Sequence, residues 1–139
     1  MNLQALLDAI VAKLLDSAIY NDVGGRVYYR KAPVNEYPRL VYSFITETPD
    51  NVFTKKGESN LMQFDLFFPD SLGEAVLTTA YQDLRTLMDN CQLTVSGYGL
   101  VQFTWQNTVP LDEEVDALPD GSTGLAHRAV DYQIDIQEL

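Results

Sequence analysis

The chain is short of the residues that most protein chemistry requires. It holds one cysteine, one histidine and one tryptophan, and nine basic residues against twenty acidic ones in 139. The lone Cys91 has no partner for an intramolecular bridge, which points to a reducing compartment and a fold held without disulfides. One His and one Cys exclude the usual zinc ligand sets. A Cys91–His127 nucleophile pair lacks a third, orienting group, so Cys91 reads as a small buried hydrophobe. Lipid-anchoring motifs are also missing. The apolar residues of positions 1–15 are interrupted by Asp8 and Lys13, so they form neither a signal sequence nor a membrane span. The expected protein is soluble, made in a cytoplasm and free of membrane contact.

A net charge of −11 argues against specific nucleic-acid binding, because phosphate recognition needs a clustered basic face. Gly24-Gly25-Arg26 is not a phosphate loop, since the longer glycine frame closing in Lys-Ser or Lys-Thr is absent. The acidic run 112–120 lacks the alternating oxygen ligands and central glycine of a calcium loop. Asp65, Asp131 and Asp135 fall on the polar side of their strands. They would support metal-dependent hydrolysis only if they lined a cleft with another acid or base. No cofactor, no metal and no catalytic role is expected.

What the chain does have is a core. Hydrophobic residues make up 46% and charged ones 21%, an ordinary globular balance for one domain over 1–139. Leu3, Leu6, Leu7, Ile10, Val11, Leu14 and Leu15 recur at helical spacing. Gly24-Gly25 then supplies positive-φ positions for a turn. A short strand is expected over 26–31, a turn-rich link to Pro38, and a strand over 40–47. Polar residues 48–58 read as a hairpin tip, and 59–68 as a half-buried strand with Met62, Phe64, Leu66 and Phe68 inward. Ser71 and Glu74 have capping-box spacing before a second helix with Leu72, Val76, Ala80, Leu84, Leu87 and Met88 as its stripe. Strand follows over 93–106, bent near 96–99, with Val101, Phe103 and Trp105 on one side. A long acidic loop is expected over 107–124. The last strand, 126–136, turns Val130, Tyr132, Ile134 and Ile136 inward. The class is α+β: an antiparallel, or mixed, sheet with two main helices on one face and two long polar loops.

The order of these features resembles the small tail-completion, or tail-terminator, proteins of long-tailed bacteriophages and prophages. The residues that carry the likeness are the N-terminal helix, Gly24-Gly25-Arg26-Val27-Tyr28, Ala32-Pro33 and the Tyr37-Pro38 step into the strand at Leu40. It continues through the strand 61–68, Gly73-Glu74-Ala75, the turn 93–97, and Leu125-Ala126-His127-Arg128 before an alternating strand. The resemblance implies a virion protein that forms a ring, commonly hexameric, on the head-proximal end of the tail tube. Its partners would be further copies of itself, the tube protein and the head–tail connector, with DNA passing through the lumen. A neck or head-completion protein of the same stack, or a small ligand-binding domain, are the alternatives. A closed ring needs two different complementary faces on each subunit. Arg26, Arg30, Lys31 and Arg39 are the basic candidates for one. Asp112, Glu113, Glu114 and Asp116 either form the other or line the lumen and repel DNA.

Overall fold

The computed structural model describes residues 3–33, 36–49, 57–114, 118 and 123–139. Helix α1 (Leu3–Leu14) buries Ala5, Leu6, Ile10 and Leu14, a stripe narrower than the seven expected positions because Val11 and Leu15 remain exposed. Asp16, at φ 59°, breaks the helix, as a short polar residue can in the left-handed region. Ser17 then serves two helices at once. Its hydroxyl donates to the carbonyl of Leu14 at 2.6 Å and accepts from the amide of Tyr20 at 3.3 Å, capping α2 (Ala18–Asp22). Gly24 and Gly25, at φ 61° and 76°, make the expected turn.

The described strands are β1 (Val27–Tyr29), β2 (Arg39–Pro49), β3 (Gly57–Pro69), β4 (Tyr98–Glu114) and β5 (Gly124–Glu138). They form one sheet in the order β1-β2-β3-β5-β4, in which β1 runs parallel to β2 and every other pairing is antiparallel. All three helices bury their apolar faces against one side. The result is a single α+β domain with a mixed sheet.

Each strand contributes an aromatic ring to that side. Tyr29, Tyr42, Phe64, Tyr132 and Phe103 form a chain from β1 to β4, with centroid separations of 5.4, 6.0, 5.6 and 5.3 Å. Such pairs contribute about 0.5–1.5 kcal/mol each beyond the area they bury. At the far end of the chain, the Tyr132 hydroxyl donates to Asp89 at 2.6 Å, and Arg85 grips the same carboxylate through Nε and Nη2. The Arg85 guanidinium also lies 3.9 Å from the Trp105 ring centre. Burial alone would raise the Asp89 pKa, but the bonds from Arg85 and Tyr132 hold it below the usual carboxylate range.

Four sequence expectations need correction. First, the expected loop 107–124 is strand over 107–114, while 115–117 and 119–122 lie outside the described residues. β4 continues to Glu114 and β5 begins at Gly124, with Glu114 paired to Gly124. Strand β5 supplies a partner along the whole of β4, and two bulges, at 100–102 and 105–107, absorb the register mismatch. As an edge strand, β4 tolerates Pro110 and three acids. Second, the ends of the expected 48–58 tip are strand: β2 runs to Pro49 and β3 starts at Gly57, while 50–56 lie outside the described residues.

Third, Ser71 and Glu74 do not make a capping box. Gly73, at φ 91°, is the N-cap with no side-chain bond, so α3 (Glu74–Met88) starts two residues later than that spacing implied. Ser71 lies in a short 3-10 turn, Asp70–Leu72. The buried stripe of α3 is accordingly Leu77, Ala80, Leu84 and Met88, and Leu72 and Val76 are exposed. Fourth, the first strand is only three residues long, because Arg30 leaves it at φ 67°. Strand β4 begins at Tyr98, so 93–97 are not a strand beyond an isolated Val95–Tyr98 bridge.

Candidate functional site

The basic candidates gather at the β1–β2 edge of the sheet but do unlike things. Arg26 donates from Nε to the carbonyl of Pro38 at 2.7 Å, and its guanidinium crosses Gly24, where a Cβ would sit 3.0 Å from Nη2. It braces the turn onto the start of β2. Arg39 stacks on aromatic faces, 4.4 Å from the Tyr37 ring centre and 5.2 Å from that of Phe67. Arg30 and Lys31 are exposed, and their side chains make no hydrogen bond or ion pair among the described residues. Two of the four arginine and lysine side chains are thus engaged within the subunit and two face solvent.

The acidic candidates occupy the opposite edge, at the end of β4. Asp112 and Glu114 are exposed and form no ion pair among the described residues, whereas Glu113 is bonded to His127. Asp116 lies outside the described residues. Register places the two groups at the same end of the sheet. Arg39 pairs with Phe67, Phe67 with His127 and His127 with Leu111, so Asp112 follows directly on the row that begins at Arg39. Positive and negative groups are therefore three or four strands apart and cannot neutralise each other within one subunit.

Midway along that row lies a cluster the sequence did not reveal. On the sheet face away from the helices, His127 is held by Asp65 of β3, with Nε2 at 2.7 Å from Oδ1, and by Glu113 of β4, with Nδ1 at 3.2 Å from Oε1. Its ring stacks on Phe67 at 4.3 Å and 23°. Burial depresses the imidazolium. The bond and charge of Asp65, then those of Glu113, outweigh it, and the pKa lies above its ordinary 6.5. Parity along β5 puts His127 on the face of Asp131 and Asp135. The register that brings Asp65 beside it is long-range and has no local signal.

The paired-carboxylate reading of Asp65, Asp131 and Asp135 is not realised. Asp65 binds His127, Asp131 accepts from Gln63 Nε2 at 2.9 Å, and Asp135 accepts from Gln133 and Gln102. No group of three metal-ligating side chains occurs among the described residues. Cys91 is buried in the helix-side core with its thiol pushed up to about 11 by burial, on the other side of the sheet from His127. One further carboxyl is perturbed. Asp22 of α2 is raised to about 6, first by burial and then by the bond and charge of Asp83 on α3.

The architecture has solved counterparts. A chain from the virion of a native gene transfer agent particle superposes with a TM-score of 0.70 over 96% of both chains at 17% identity. The fold is a shared one. A second solved chain matches over 96% of both at a TM-score of 0.63 and 14% identity. No family model matches the sequence, and no curated protein does. At such identity the likeness is one of fold, and it spans 96% of this chain. Among the described residues, no helix is long and apolar enough to cross a membrane.

Proposed function

We propose that the chain is a structural virion-assembly protein of the tail-completion kind. It associates with copies of itself into a ring, a hexamer in the resemblance, at the head-proximal end of a tail tube. There it ends tube growth and offers a surface to the head–tail connector. The observation that carries this reading is the full-length fold likeness to a gene transfer agent virion chain, at a TM-score of 0.70. That finding supports a virion component, and the terminator role rests on the sequence resemblance.

Charge placement supports a heterologous contact. Exposed Arg30 and Lys31, with Arg26 and Arg39 behind them, stand at one edge, and exposed Asp112 and Glu114 stand at the other. A rotation that keeps the sheets aligned brings the basic edge of one subunit to the acidic edge of the next. Pro110 and the two bulges blunt β4 for backbone pairing, so the contact is made by side chains. The net charge of −11 suits a lumen through which DNA passes without sticking. A non-catalytic role is supported by the outer-face carboxylates, each of which is committed to a partner on its own sheet.

The test is electron microscopy of tails assembled with and without this protein. Loss of tail-length control in its absence is the expected result. Tails of normal length that fail to join heads would instead identify a neck protein. Tails and particles unaffected by its removal would overturn the proposal.

A further inference from the structure

His127 is the only histidine in the chain, and it joins three strands on the outer sheet face. It belongs to β5, contacts Asp65 of β3 and Glu113 of β4, and stacks on Phe67. Its side chain is 11% exposed, that of Asp65 15% and that of Glu113 42%. Both ring nitrogens face carboxylate oxygens, which only the doubly protonated imidazolium can satisfy as donor to each. We propose that His127 is a pH-operated latch that ties the end of β4, through Glu113, to β5 when charged and releases it when neutral.

The asymmetry of the two bonds decides what is released. A neutral imidazole keeps one N–H and presents a lone pair from its other nitrogen. The Asp65 bond is the shorter, 2.7 against 3.2 Å, and the more buried, so the remaining proton stays on Nε2. The Nδ1 lone pair then faces the Glu113 carboxylate, and repulsion turns that exposed side chain into water. The lost proton goes to solvent. Asp112–Glu114, the end of an edge strand, loses its side-chain tie to the sheet, while its backbone pairing with Gly124–Ala126 remains and frays more readily.

The other charged groups around the ring keep the balance as described. Arg128 donates from Nη1 to the His127 carbonyl at 3.2 Å, and its Nη2 lies 3.7 Å from Glu74 of α3. Arg39 of β2 lies over the same Phe67 ring that His127 stacks upon. Asp131, on the same face of β5, is occupied by Gln63. Asp65 and Glu113 remain the groups in direct contact.

Asp112 and Glu114 ride on the released segment, so the latch would also regulate the acidic edge. That consequence alone rests on the ring reading, and the latch is testable on the isolated full chain. With a single histidine, the imidazole resonances titrate unambiguously by NMR. The expected midpoint lies above 6.5, and amide-exchange protection at 112–114 falls roughly tenfold across the same midpoint, as loss of a charged hydrogen bond implies. Protection at Phe64 and Tyr132 stays constant. Glu113→Gln lowers the midpoint and removes the step at 112–114. A midpoint at or below 6.5 would overturn the latch. So would protection at 112–114 that stays level through the titration, or a Glu113→Gln variant that titrates like the parent.

Discussion

At residue scale, two titrating groups pull the stability profile in the same direction for different reasons. His127 has a folded-state pKa raised above 6.5, so its contribution is fully present below the unfolded value and is lost as pH rises through the folded one. Asp22 is a carboxyl raised from 3.8 to about 6. The folded state holds its proton more tightly, so stability also declines between about pH 4 and 6, and Asp22 is a liability at neutral pH. Asp22→Asn should raise the melting temperature at pH 7.5 and leave it nearly unchanged at pH 4, as thermal unfolding monitored by circular dichroism would register. A variant less stable than the parent at pH 7.5 would contradict this account. Neither perturbation was legible in the sequence. Asp83 and Asp22 are brought together by helix packing, and Asp65 and His127 by strand register.

At element scale, α3 separates amphipathic pattern from start position. Sequence spacing put Val76 in the inward stripe, whereas the buried stripe runs through Leu77, Ala80, Leu84 and Met88. Leu77 is buried against the sheet and Val76 is exposed. Leu77→Ala should cost about 2–4 kcal/mol in denaturant unfolding, in the range of buried Leu truncations, and Val76→Ala under about 0.5. Equal costs would mean that the other stripe faces the core. The turn after α2 makes a similar demand. Gly24→Ala needs φ 61° and puts a methyl group 3.0 Å from Arg26 Nη2. It should destabilise by at least about 1 kcal/mol and loosen the Arg26–Pro38 brace.

At the scale of the whole molecule, the sheet keeps opposite charges at its two edges. In the proposed ring, Arg30→Glu with Lys31→Glu should abolish association. The added changes Asp112→Lys and Glu114→Lys should restore it by reversing both faces. Analytical ultracentrifugation in the presence of tail tubes checks both results, and association that is indifferent to charge reversal would remove the edges from the contact. Raising salt from 50 to 500 mM should weaken the parent ring, since exposed charges are screened over a Debye length of about 4–14 Å in that range.

Periodicity along the chain was enough to establish the α+β class, the N-terminal helix, the inward faces of β3 and β5, and the Gly24-Gly25 turn. These follow from local geometry, where side-chain direction repeats every 3.6 or 2 residues and glycine alone adopts φ > 0 freely. Tertiary structure decided that the acidic stretch through Glu114 is a strand, because a polar sequence becomes an edge strand only when a complete partner such as β5 lies beside it. It also decided that the basic and acidic groups stand at opposite edges, and that His127 meets Asp65 and Glu113. Each of these depends on register between residues up to 62 positions apart in the case of His127 and Asp65, and no local pattern encodes that alignment.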